Sequence, residues 1–135
     1  MLKSRKIIID TNLWISFLLT KQFTFLDSLL NKRRVKLIFS DELLAEFFEV
    51  EKRPKLNKYF QDKDLERLID LINVYAEFYT VKSTVDVCRD SKDNFLLALA
   101  KESNADFLIT GDKDLLVIKK FENTEIVTIT EYKFK

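Results

Sequence analysis

The sequence predicts an α/β domain in which a largely parallel sheet is covered by helices on both faces. Three features lead there. Short β-branched runs alternate with longer stretches of helical period. Carboxylates recur where a strand run ends or the next helix begins. The only glycine, Gly111, stands between a buried-type strand and two aspartates. Strands separated by helices need crossover connections, which is what parallel pairing requires.

Taken in order, Lys6 to Ile9 is a short apolar strand ending at Asp10, and Leu13 to Leu19 and Phe25 to Leu30 have helical character. Val35 to Phe39 is a second strand, with Ser40 placed to cap the helix that follows. That helix, about Asp41 to Lys52, carries its apolar stripe on Leu43, Leu44, Phe47, Phe48 and Val50, and Pro54 stops it. Asp64 to Phe78 repeats apolar residues at Leu65, Leu68, Ile69, Leu71, Ile72 and Tyr75, an amphipathic helix. Tyr79 to Val81, extended by Val85 to Cys88, reads as a weaker strand. A helix over Asp93 to Ser103 packs Phe95, Leu96, Leu99 and Ala100. Ala105 to Thr110 is a buried-type strand, Lys113 to Lys119 a short helix and Glu125 to Thr130 a closing strand. No repeat, low-complexity tract or linker divides the chain, so residues 1–135 are expected to form one domain.

Composition narrows the chemistry. With 47% hydrophobic and 33% charged residues the chain can bury a core and stay in water. A single cysteine, Cys88, allows no internal disulfide and points to a reducing cytoplasm. Lys3, Arg5 and Lys6 before Ile7-Ile8-Ile9 imitate a signal peptide, but Asp10, Thr11 and Asn12 interrupt the apolar stretch and no small-residue cleavage site follows. No run reaches the roughly 18 apolar residues of a membrane helix. The absence of histidine removes Ser-His-Asp and Cys-His catalysis and imidazole-based zinc sites. One glycine cannot build a P-loop or a GxGxxG turn. Any chemistry must rest on hard oxygen ligands, which select Mg²⁺, Mn²⁺ or Ca²⁺. A net charge of +1 says little about partners. The local clusters Lys32-Arg33-Arg34 with Lys36, and Lys52-Arg53 with Lys55 and Lys58, read either as solvated helix ends or as phosphate contacts.

The carboxylates carry the functional reading. Asp10 follows the first strand, where the bland alternative is a helix N-cap. Glu46 lies beside Val50 at the margin of its helix's apolar stripe; Glu42 and Glu49 face further toward solvent, and Glu51 is over a turn further from the strand. Asp41 and Glu42 are explained as first-turn residues favoured by the helix dipole. In Arg89-Asp90-Ser91-Lys92-Asp93-Asn94, Asp90 fits an N-cap, while Asp93 falls along the edge defined by Leu96 and Ala100. Asp112 closes Leu108-Ile109-Thr110-Gly111-Asp112-Lys113-Asp114. About nine glycines would be usual at this length, so spending the only one here suggests a positive φ or a close backbone approach; a plain tight turn is the alternative. Ligands of open parallel sheets bind at the carboxyl ends of the strands. Two carboxylates about 5 Å apart repel by roughly 3 kcal/mol at an effective dielectric of 20. Four gathered at one sheet edge need protons or a divalent cation.

At this point the sequence resembles the PIN domain, and more narrowly the VapC-like PIN toxins of prokaryotic toxin–antitoxin pairs. Ile9-Asp10-Thr11-Asn12, Ser40 to Glu46, and Asp90 to Ala100 running into Thr110-Gly111-Asp112-Lys113-Asp114-Leu115-Leu116 carry the resemblance, which spans essentially the whole chain. It implies a Rossmann-like three-layer α/β/α sandwich around a four- or five-stranded, mainly parallel sheet. It further implies that Asp10, Glu46, Asp93 and Asp112 are the acidic metal-binding and catalytic set for Mg²⁺ or Mn²⁺. Asn12 and Thr110 would be supporting polar groups and Asp114 an auxiliary ligand, beside Asp90, whose supporting role is the N-cap read from the residues above. The implied activity is hydrolysis of RNA to 5′-phosphate and 3′-hydroxyl ends, with an antitoxin protein and a second copy of the chain as partners. Two other readings compete: a non-catalytic PIN module that binds RNA or protein, and a phosphoryl-transfer domain of receiver or haloacid-dehalogenase type. The dehalogenase pattern wants an aspartate where Asn12 stands, and Met1 to Arg5 lacks the acidic pair a receiver needs.

Overall fold

The structure is a computed structural model that describes residues 4–20, 30, 34–51 and 62–135. Its first strand, β1 (Arg5–Ile9), shows why the core forms. Ile7, Ile8 and Ile9 are all buried, with no alternation between faces. A strand covered on both faces selects such a continuous apolar run. On one side β1 pairs in parallel with β2 (Val35–Phe39), which pairs in turn with β3 (Ala76–Phe78). On the other it pairs in parallel with β4 (Phe107–Ile109), and β4 with β6 (Thr124–Val127). A two-residue strand β5 (Lys120–Phe121) adds antiparallel to β6, so the six-stranded order is β3-β2-β1-β4-β6-β5.

The helices follow from local chemistry. After β1 comes α1 (Thr11–Thr20), started by Asp10, whose carboxylate accepts the Asn12 N–H at 3.2 Å. Ser40 is fully buried and caps α2 (Asp41–Glu51), its Oγ accepting the Leu43 N–H at 3.1 Å. The amphipathic α3 (Asp62–Tyr75) runs straight into β3. Then α4 (Ser91–Ser103) is capped by Asp90 and ended by Asn104 in the left-handed region at φ 54°. Two single-turn helices are the last among the described residues, α5 (Lys113–Leu116) and α6 (Ile129–Tyr132). Parallel strands flanked by helices make this the expected α/β sandwich, with six strands where four or five were expected because the two-residue β5 adds an antiparallel edge. No helix among the described residues is long and apolar enough to cross a membrane.

Four expectations need correction. The third strand is Ala76–Phe78, not Tyr79–Val81 or Val85–Cys88, and α3 stops at Tyr75. Pairing with β2 decides this: Phe78 sits opposite Phe39 and stacks on it at 5.9 Å. The helix expected over Lys113 to Lys119 ends at Leu116, because Lys119 turns left-handed at φ 66° to start a hairpin. The closing strand stops at Val127, and Thr128 and Glu131 then form a reciprocal capping box that opens α6. Finally, Gly111 has no positive φ, and a Cβ built there meets nothing within 4 Å. Backbone geometry does not require that glycine. The helix expected over Phe25 to Leu30 lies, except for Leu30, outside the described residues, as do Lys32, Arg33, Pro54 and the Lys52 to Lys58 cluster.

Candidate functional site

The strand order fixes the position of the candidate site. The chain moves outward from β1 through β2 to β3, then crosses back to β4 on the other side. The order therefore reverses between β1 and β4, and the crevice beyond their carboxyl ends is the place where parallel sheets bind ligands. Asp10 ends β1 and Thr110 ends β4 at that crevice.

Here the two strands are tied together. The Asp10 N–H donates to the Ile109 carbonyl at 3.0 Å, and the Thr110 Oγ1–H donates to Asp10 Oδ2 at 2.8 Å. Thr110 Oγ1 also accepts the Asp112 N–H at 3.0 Å. One buried hydroxyl thus sets the Asp10 carboxylate and the backbone at Asp112 at once. Asp112 in turn caps α5, its Oδ1 accepting the Asp114 N–H at 2.9 Å. Asp90 caps α4 through the Lys92 N–H at 2.9 Å, which places Asp93 in the first turn. Asn94 fastens the preceding loop: its Oδ1 accepts the Val87 and Cys88 N–H groups at 3.0 and 2.7 Å, and its Nδ2 donates to the Cys88 carbonyl at 2.9 Å.

These devices surround a cavity of about 210 Å³ lined by Asp10, Asn12, Glu46, Asp90, Lys92, Asp93 and Asp112, with Thr11, Leu43 and Leu96 beside them. Of the candidate site residues, Asp10, Asn12, Glu46, Asp90, Asp93 and Asp112 line this cavity, while Thr110 bonds to Asp10 and Asp114 approaches Asp93 and Asp112. They are not equivalent, however. Carboxylate oxygens of Asp93, Asp112 and Asp114 come within 4.8 Å of one another. Asp10 and Glu46 are outside that triad: Asp10 is held by Thr110, and Glu46 Oε1 lies 3.5 Å from Lys92 Nζ. Asp114, first considered auxiliary, therefore belongs with the closest group.

The electrostatics agree with the crowding. Asp93 is only 5% exposed. Burial, then a hydrogen bond to Asp112 and the charges of Asp112, Asp90 and Asp10, raise its pKa from 3.8 to about 7. A proton held between Asp93 and Asp112 relieves the like-charge contact. The same field reaches Cys88, where burial first and then the neighbouring aspartates push the thiol upward. Arg89 approaches Asp114 at 3.8 Å but is 92% exposed, and the Lys92–Glu46 pair is also open to solvent. Exposed pairs of this kind are worth about 0–1 kcal/mol. They do not neutralise Asp93. A divalent cation suits this donor set, because its ligands are hard carboxylate oxygens and it would take over the role of the shared proton.

The basic clusters contribute less here than the sequence allowed. Their described members, Arg34 and Lys36, lie at the start of β2, and Lys36 pairs with Glu77 at 3.1 Å. Lys36 is opposite Lys6, four residues before Asp10, or about 13 Å along the strand at roughly 3.3 Å per residue.

Sequence reasoning passed over Lys92 and Asn94. The Asn94 bonds form an Asx-type clamp with no distinctive spacing, and the Lys92–Glu46 pair joins two helices that only the fold brings together. Neither the comparison with curated proteins nor that with solved structures finds a match. The family comparison does: the PIN domain matches residues 6–114, a span that opens at β1 and closes on Asp114. The chain belongs to the PIN-domain family, whose members are generally nucleases that use divalent metals.

Proposed function

We propose that the chain is a Mg²⁺- or Mn²⁺-dependent endoribonuclease, and that it serves as the toxin of a toxin–antitoxin pair. The observation that carries the enzymatic part is the gathering of Asp93, Asp112 and Asp114 within 4.8 Å around a carboxyl that keeps its proton to about pH 7. Such a cluster is costly unless it has a cation to hold. Asp93, Asp112 and Asp114 would ligate the ion, and Asp10 and Glu46 are the remaining carboxylates of the predicted acidic set, lining the same cavity. When bound, a divalent ion offsets the charge developing on a phosphodiester and makes water a better nucleophile. Asp10 is kept in place by Thr110, and each of its oxygens retains a lone pair to orient that water or accept its proton. Asn12 offers a polar group to the substrate at the cavity wall. By resemblance, the products are a 5′-phosphate and a 3′-hydroxyl.

The toxin role, the antitoxin partner and homodimerisation rest on the likeness to VapC-like chains in Ile9-Asp10-Thr11-Asn12 and Thr110-Gly111-Asp112. Digestion of RNA by the purified chain with Mn²⁺, with EDTA, and with an Asp10→Asn variant tests the activity. Cleavage that needs the metal and is abolished by the substitution is expected, with the variant still folded because asparagine can cap α1 and accept from Thr110. RNA binding without cleavage would instead identify a non-catalytic module, and full activity in Asp10→Asn would refute the assignment. Growth arrest on expression, relieved by the product of a short adjoining reading frame, is the expected mark of the toxin role.

A further inference from the structure

The cavity carries a cation of its own. Among the described residues that line it, Lys92 is the only basic one. Its backbone is fixed at the first turn of α4 by the bond from its N–H to Asp90, one residue before Asp93. Its side chain is 63% exposed, yet its Nζ lies 3.5 Å from Glu46 Oε1 on α2. A pair so open adds little to stability, so holding the two helices together is a weak reason for it. The charges of the site are divided unevenly. Asp93, Asp112 and Asp114 crowd together on one side, where the nearest cation is the almost fully exposed Arg89, 3.8 Å from Asp114 and outside the cavity lining. On the other, Glu46 already faces an ammonium.

We propose that Lys92 acts as a built-in second cation. A single divalent ion sits with Asp93, Asp112 and Asp114, and the Lys92 ammonium supplies the positive charge beside Glu46 where a second ion would otherwise bind. The proposal rests on the metal-dependent nuclease reading and deepens it. An ammonium on a flexible stem is a movable point charge. It can leave Glu46 for a phosphate oxygen when a phosphodiester enters, so the acidic cavity accepts an anionic substrate without a second ion.

Counting Mn²⁺ tests this without recourse to activity. The full chain, Lys92→Met and Lys92→Arg are titrated with Mn²⁺ while the free ion is followed by electron paramagnetic resonance. One bound ion is expected for the unaltered chain and for Lys92→Arg, and a second, taken by the vacated Glu46 side, for Lys92→Met. Two ions of similar affinity in the unaltered chain, or one ion in Lys92→Met, would overturn the role of Lys92 and leave the metal-dependent reading standing. No bound ion in any of the three would remove both.

Discussion

The two ends of the β1–β4 strand pair are built on opposite electrostatic plans. At the amino ends, charges meet complementary partners. The Arg5 guanidinium lies 5.1 Å from the Phe107 ring and 5.6 Å from the Tyr132 ring, and it donates to the Lys135 carbonyl at 3.2 Å. The Lys6 N–H donates to Asp106 at 2.9 Å, and its Nζ donates to Tyr79 at 2.9 Å. That bond to Tyr79 holds Lys6 above its usual pKa range, and the same hydroxyl, followed by Lys36, holds Glu77 below the carboxylate range. Lys6 and Glu77 are thus both stabilised in their charged forms. At the carboxyl ends, some 13 Å away along the strands, the chain crowds carboxylates and forces Asp93 to keep a proton. One end gives Lys6 and Glu77 their counter-charges, whereas the other has only the exposed pairs of Arg89 and Lys92 and leaves buried Asp93 without a cation, an imbalance that a bound divalent ion would relieve.

Four substitutions or conditions sharpen or break this contrast. The largest effect is expected from Asp93→Asn, which should lower Mg²⁺-dependent RNA cleavage on the order of 100- to 1000-fold. It should also raise the Tm of the metal-free protein at pH 8 by about 5 °C by removing a buried like charge. Initial rates and thermal scans check the two halves, and a fall in Tm would contradict the crowding. The next effect comes from pH. Folded Asp93 keeps its proton to about pH 7, whereas the unfolded chain releases it near 3.8. The folded state thus holds more protons between those values, and metal-free stability should decline as pH rises from about 4 to 7, by at most about 4 kcal/mol. Urea denaturation across that range measures it, and the decline should shrink in saturating Mg²⁺.

At the opposite end, Arg5→Ala should cost about 1–2 kcal/mol of stability through its lost ring contacts. Cleavage per folded molecule should be unchanged. A matching loss of activity would show that the two ends are not independent. The smallest effect is expected from Gly111→Ala. With no positive φ and open space around its Cβ position, the substitution should leave Tm unchanged or raise it slightly, by about 0.4–1 kcal/mol in stability. A clear loss of stability would mean that the turn does need glycine.

Much of the fold was legible because burial and local chemistry agreed. Ile7-Ile8-Ile9 and Val35 to Phe39 read as strands since both faces are covered, and Ser40 announced its helix by its position after one. What was illegible depended on partners. Ala76 to Phe78 continues a helical period, and only Phe39 opposite Phe78 makes it a strand. The β5–β6 hairpin turns through Glu122 at φ 52° without the Asn-Gly or Asp-Gly that usually marks such a turn. Thr128-Ile129-Thr130-Glu131 did contain a capping-box spacing, but its β-branched residues read as strand. At the candidate site, Asp10, Asp93 and Asp112 stood out in the sequence by their places at strand ends and in a helix's first turn. Asp114 looked auxiliary, since adjacency in sequence does not reveal how closely its carboxylate turns toward Asp93. Lys92 had no mark in the sequence, because its partner Glu46 lies on a different helix.

The most direct measurement is a calorimetric titration of Mg²⁺ into the metal-free chain near pH 7, repeated in buffers of different ionisation enthalpy. If the cation replaces the proton shared by Asp93 and Asp112, the heats should differ between buffers by the equivalent of up to about one proton released per ion. Asp93→Asn should abolish that difference. Binding with no proton release, or undiminished proton release in Asp93→Asn, would contradict the account.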